Sequence, residues 1–224
     1  DGLLTTAAGA TLKGGFRRGR LHGEARGTYP SGEEYTGEFA DGQRAGQGTC
    51  RYPDGGTYKG RWHADLRQGR GVLILPSGTM FSGDFEAGEL ASRGVIIYVD
   101  GGSYDGELEQ LRRSGWGVYQ ETSGYKYEGD WADDARGGYG REARANGDSY
   151  EGEWAADQRH GHGRFVSLHG DVYEGGWVHG QRSGQGVSTV MPPDEVESAR
   201  LKVSAQLLAH RRKHFLRLPG AGEM

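Results

Sequence analysis

Four histidines, His160, His162, His169 and His179, lie close together in the chain, and with neighbouring carboxylates such a set could ligate zinc. The spacing argues otherwise. His160 and His162 flank Gly161, and strand neighbours two apart share a face without sharing a metal. No metal and no cofactor is expected. Cys50 is the only cysteine, so neither a disulfide nor a thiolate cluster can form within one chain. No histidine is placed beside it to make it a nucleophile. Gly-x-Gly recurs, as at Gly46-Gln47-Gly48 and Gly138-Tyr139-Gly140, yet never opens a helix as a phosphate cradle must. Asp and Glu read as solvated face charges, with no pair singled out. The chain is expected to be no enzyme.

Rings offer a different chemistry, that of recognition. An aromatic residue or leucine, then any residue, glycine, any residue and a second large apolar residue recurs every 23 positions. The first anchors are Leu12, Tyr35, Tyr58, Phe81, Tyr104, Tyr127, Tyr150 and Tyr173; the second are Phe16, Phe39, Trp62, Phe85, Leu108, Trp131, Trp154 and Trp177. Glycine stands between them in all eight copies. Rings are the usual energetic anchors of interfaces. The copies with the fullest motif put the expected partner-binding ladder at Tyr127, Trp131, Tyr150, Trp154, Tyr173 and Trp177. It would take an extended or helical peptide.

Such a period makes the chain an array of one small unit, each burying its apolar face against its neighbours. Glu33 to Phe39 alternates polar and apolar residues, the mark of a strand with one covered face. Asp41-Gly42 is a turn, and Gly46 to Tyr52 resumes an extended segment before Pro53-Asp54-Gly55-Gly56 turns into the next unit. Each unit is therefore a hairpin. The expected fold is all-β: an elongated single antiparallel sheet of about eight stacked hairpins, followed by one C-terminal α-helix. Strands about 4.8 Å apart give about 75–80 Å for eight units. The 43 glycines among 224 residues let rings lie over bare backbone, with Gly37 on one strand and Gly46 and Gly48 on its neighbour beneath them. A further column, Gly9 to Gly170, is expected at positive φ between units.

Two segments break the alternation. Val72-Leu73-Ile74-Leu75 and Val95-Ile96-Ile97-Tyr98-Val99 are apolar on both faces. A contiguous apolar patch on a soluble protein rarely stays bare, so Leu73, Leu75, Ile96 and Tyr98 are expected at an interface or under the tail. Pro192-Pro193 ends the β pattern, and Asp194-x-x-Glu197 is a capping-box-like helix start. The expected domains are an array at 1–193, beginning inside a repeat of a longer protein, an amphipathic helix at 194–218 and a tail at 219–224. Val196, Ala199, Val203, Leu207 and Leu218 form one helical stripe and Leu201, Ala205, Leu208, Phe215 and Leu216 another. One side should dock on the sheet and the other face outward. Arg211, Arg212, Lys213 and Arg217 make the helix end basic, a candidate contact for anionic phospholipid or an acidic partner.

The formal charge of −4 divides into +2 from residue 194 onward and −6 before it. An acidic array is a poor match for nucleic acid. No run approaches the roughly 18 apolar residues of a membrane span. The single cysteine suits a reducing cytoplasmic compartment.

Tyr-x-Gly-x-Trp followed by Gly-x-Gly, as in Tyr150-Glu151-Gly152-Glu153-Trp154 through Gly161-His162-Gly163, resembles the MORN repeat over about residues 2 to 190. The copy at 104–124 departs, with Leu108 for the second ring and Leu111 where glycine often sits. The resemblance implies a hairpin array used for scaffolding, dimerisation and partner docking, including cytoskeletal and ciliary settings. Two alternatives stay open: a membrane-proximal adaptor working through the basic helix, and a regulatory arm of a larger enzyme.

Overall fold

The computed structural model describes residues 2–201 and 207–208. It is an array of antiparallel hairpins in chain order, and its contacts divide it into two compact units, 1–99 and 100–224. The first unit holds β1 (Gly2–Thr5), β2 (Thr11–Arg17), β3 (Arg20–Thr28), β4 (Glu34–Ala40), β5 (Gln43–Arg51), β6 (Thr57–His63), β7 (Leu66–Ile74), β8 (Met80–Glu86) and β9 (Glu89–Ile97). The second holds β10 (Ser103–Glu109), β11 (Arg112–Gln120), β12 (Lys126–Ala132), β13 (Ala135–Ala143), β14 (Ser149–Ala155), β15 (Gln158–Val166), β16 (Asp171–Val178) and β17 (Gln181–Val190), then helix α1 (Pro193–Leu201). The all-β, open antiparallel architecture read from the period is therefore correct.

Each hairpin closes on two residues with φ between about +46° and +93°, such as Ala156 and Asp157 at 46° and 65°. This is the mirror-image turn that matches the twist of the flanking strands. Aspartate in that turn also reaches the preceding repeat. Arg44, Arg113 and Arg136 donate their backbone N–H groups to Asp65, Asp134 and Asp157 at 2.9, 2.8 and 3.0 Å. The glycine column between units adopts the expected positive φ.

The two glycines of each second strand do different work, which corrects the expectation that both lie under a ring. Gly48 faces the ring layer, where an added Cβ would overlap the Tyr35 hydroxyl. Gly46 has φ +55° and its missing Cβ would strike the Glu38 carboxylate. It sits in a bulge, where register slips between the Gly37–Gly48 and Phe39–Arg44 pairs. Glu38 accepts the N–H of Gln47 across it at 2.7 Å. Glu107, Asp130 and Glu153 repeat this with Trp116, Tyr139 and His162 at 2.9–3.0 Å. These acids are structural caps rather than the scattered face charges their sequence suggested.

Helix α1 starts at Pro193, and the expected extension to residue 218 falls largely outside the described residues. Val196 and Leu207 are buried while Leu208 is 44% exposed. Val196 packs on the Gly170 turn, where an added Cβ would come within 2.8 Å of it.

Candidate functional site

The ladder is built from within each hairpin. Tyr150 lies directly over Gly163, and its hydroxyl donates to the Glu153 carbonyl at 3.0 Å. Trp154 donates its indole N–H to the Gly140 carbonyl one repeat back, at 3.2 Å. The same two bonds recur for Tyr127 and Trp131 and for Tyr173 and Trp177. Successive rings meet edge to face: Tyr127–Trp131 at 5.0 Å, Tyr127–Trp154 at 5.3 Å, Tyr150–Trp177 at 5.2 Å. Each such pair contributes about 1 kcal/mol beyond its burial. Tyr127, Trp131, Tyr150, Trp154, Tyr173 and Trp177 are therefore all buried, none more than 6% exposed. An open groove lined by their faces, as read from the sequence, is not what forms, because their own glycines and neighbouring rings consume those faces.

What covers the ladder is a column of arginines that sequence reasoning passed over. Arg44, Arg67, Arg113, Arg136, Arg159 and Arg182 share the 23-residue period. Arg113 lies 4.1 Å from the Trp131 ring centre and Arg136 4.3 Å from that of Trp154. Arg159 and Arg182 sit 4.8 and 4.7 Å from Tyr150 and Tyr173. Delocalised cations stack well on ring faces. Arg113 and Arg136 also bridge to Asp134 and Asp157 at 3.2 and 3.0 Å. Leu21 and Leu90 take the place of arginine in two copies. The signal was present in the sequence, at the same period as the rings.

Beside the arginines runs one variable column on the same face: Cys50, Leu73, Ile96, Tyr119, Glu142 and Phe165, each opposite a first anchor. Leu73 and Ile96 are buried in it, and Leu75 and Tyr98 are half-buried at its rim. These four are thus part of the ring face. The apolar residues of the opposite face are Val72, Ile74, Met80, Val95 and Ile97.

In the second unit the column opens a cleft of about 320 Å³ lined by Arg113, Tyr119, Tyr125, Trp131, Arg136 and Glu142, among others. Glu142 is 2% exposed and receives Arg136, Arg144 and Arg159 at 3.1, 2.6 and 2.6 Å. Burial alone would raise its pKa, but bonds and charges from Arg159 and Arg144 hold it below the usual carboxylate range. Burial pushes the Tyr125 phenol up to about 12.

Cys50 is fully buried and bonds Glu33 at 2.9 Å. Burial first, then that carboxylate, pushes its thiol up to about 12. We expect less than about a tenth of Cys50 to be alkylated by iodoacetamide at pH 8 in the time that labels the urea-unfolded chain fully. Equal labelling rates in intact-mass spectra count against this environment. His160 and His179 meet edge to face at 6.2 Å and His179 meets Gln158 at 3.0 Å. Among the described residues no three metal-ligating side chains converge. Arg211, Arg212, Lys213 and Arg217 lie outside the described residues. No described helix is long and apolar enough to cross a membrane.

The sequence matches the family described as MORN repeat over residues 13–34, 35–57, 58–80, 81–103, 127–149, 150–167 and 173–189. The copy at 104–126, with its leucines, is passed over. No curated protein matches the sequence significantly. Among solved structures, the chain is similar to the G-box domain of the microcephaly protein CPAP, for which a role in centriole elongation has been suggested. The TM-score is 0.52 at 13% identity, covering 85% of this chain and 98% of that one. The TCP domain of SAS-4 from Drosophila melanogaster, solved with a proline-rich motif of Ana2, gives a TM-score of 0.40 at 13% identity, covering 66% and 85%. The first likeness is one of fold.

Proposed function

The chain belongs to the MORN-repeat family, and on that footing we propose that it is a non-catalytic scaffold that docks a partner protein on its arginine-capped ring face. The observation that carries this is the cleft at Tyr119 and Tyr125. There a concave surface is lined by tyrosine, tryptophan and arginine, the residue types that dominate interface energetics. Arginines stacked on rings and bridged to Asp134 and Asp157 are held in place before binding, which lowers the ordering entropy a partner must offset. An extended segment laid across the strands would meet a ring-stacked arginine and its variable-column neighbour about every 10 Å. The cytoskeletal setting is part of the same proposal and rests on the family resemblance.

The test is affinity capture from a lysate of the source cells, quantified by mass spectrometry on the wild-type chain and on a Tyr119→Ala, Arg113→Gln variant of unchanged helical and strand content. The proposal expects a set of proteins depleted at least about fivefold on the variant. An unchanged profile would sink it. Flotation with phosphatidylserine vesicles and light scattering run alongside. Binding that depends on Arg211, Arg212, Lys213 and Arg217, or a dimer that the variant dissolves, would move the function to the lipid or self-association reading.

A further inference from the structure

The face opposite the rings differs sharply between the two units. In the second unit its middle row pairs opposite charges from β12 to β16, between Val118 and Val187: Glu128 opposite Arg141, Arg141 opposite Glu151, Glu151 opposite Arg164, Arg164 opposite Glu174. Over those five strands the row is charged throughout and alternates in sign. In the first unit the equivalent row reads Lys59, Val72, Ser82, Val95. The adjoining row reads Thr57, Ile74, Met80, Ile97. Together they make an apolar patch across β6 to β9, with Ile97 37% exposed and Val72, Ile74, Met80 and Val95 only half-buried.

The equivalent row of the second unit is less exposed. In the second unit the row equivalent to Thr57–Ile74–Met80–Ile97 is Lys126–Ala143–Ser149–Val166–Val172. Ser149, Val166 and Val172 are buried, at 8%, 2% and 7% exposure, and Val196 of α1 packs on the nearby Gly170 turn. The first unit's version of this row is more apolar, yet no described residue covers it to that degree.

Charge around the patch specifies its occupant. Arg51, Lys59, Arg61 and Arg70 border it and are exposed. Asp84 is the acid among the same rows, 3.9 Å from Arg70 with both side chains mostly in water. Glu86 and Glu89 lie farther out, at the hairpin tip. We propose that the back face of the first unit, over Val72, Ile74, Met80, Val95 and Ile97, docks an amphipathic helix of a partner protein whose apolar stripe is flanked by acidic residues. Helix-in-groove recognition needs an apolar stripe for affinity. Complementary charge then selects the partner and orients it. This surface is separate from the ring face, so the scaffold has two docking faces.

The experiment is panning of a displayed library of helices of about 18 residues, long enough to cross β6 to β9. The leucine stripe is fixed and the flanking positions vary among Glu, Lys and Gln. On the full chain, acidic-flanked helices should enrich about tenfold or more over lysine-flanked ones. Enrichment should fall by a similar factor on Ile74→Thr, Ile97→Thr, which keeps β-branched shape in the strands. The acidic preference should vanish on Lys59→Glu, Arg61→Glu, which leaves the apolar patch intact and guards against misfolding as the explanation. Enrichment indifferent to flank charge, or unaffected by either variant, overturns the proposal. So does a dimer in light scattering that Ile74→Thr, Ile97→Thr converts to monomer, because the occupant would then be a second copy.

Discussion

Alanine at Gly163 is expected to lower stability by about 3 kcal/mol, a fall in melting temperature of about 10 °C. The added methyl would overlap the hydroxyl and ring of Tyr150. Tyr150 cannot step aside, since its ring is pinned edge to face between Trp154 and Trp177 at 5.2 Å each. Moving it also breaks its bond to the Glu153 carbonyl. Gly180→Ala separates crowding from backbone strain. Gly180 has φ +77° and nothing within 4 Å of where a methyl would stand, so only the left-handed conformation is penalised, at about 1 kcal/mol. Hydrogen exchange should show the Gly163 damage concentrated in β14 to β16, because contacts in a repeat array are nearest-neighbour. A melting shift under about 2 °C for Gly163→Ala, or equal effects for the two variants, rules out the ring-on-glycine contact as a main support of the fold.

Glu142→Gln should cost about 3 kcal/mol at pH 7, because it removes the one carboxylate shared by three arginines. Arg136 retains Asp157 at 3.0 Å, and Arg144 is about half exposed and can turn to water. Arg159 loses the carboxylate it bonds at 2.6 Å. The pH dependence follows from the direction of the shift. A carboxyl whose folded pKa lies below its unfolded value contributes fully above the unfolded pKa. That contribution is lost as pH falls through the folded one. Wild-type stability should therefore decline between about pH 5 and pH 3 more steeply than that of the Gln variant. Urea titrations of both proteins across that range decide it. Parallel curves would mean that Glu142 is no more stabilising charged than neutral.

Glu142 also shows why one column resisted sequence reading. Its equivalents are Gly27, Cys50, Leu73, Ile96, Tyr119, Phe165 and Ser188, so the position takes small, apolar, aromatic or charged residues. What they share is a place opposite the first anchor. Whether the residue there finds partners depends on which charges its own strand and the strand two away bring to it, as Arg136 and Arg159 are brought to Glu142. Leu75 and Tyr98 carried a similar ambiguity. A segment apolar at every position does not say which alternate set faces the rings, and pairing of Leu73 with Tyr58 decided it.

The period by itself determined the hairpin, its turns and the stacking of glycine under tyrosine, and Pro192-Pro193 with the Asp194-x-x-Glu197 cap marked the start of the helix. These are local or nearest-neighbour matters, repeated identically, and a backbone without Cβ atoms is visible in the sequence as glycine. The tertiary structure alone decided which surfaces remain for a partner. Burial of the ladder depends on rings from adjacent repeats closing over one another, and the arginine column's role depends on rings that are 9 or 18 positions away in sequence. The same holds for the bulge-capping acids, since Glu38 and Glu153 meet N–H groups nine residues on only once the register has slipped. Residue type and period specify the unit; exposure is a property of the assembled neighbours, and no single repeat contains it.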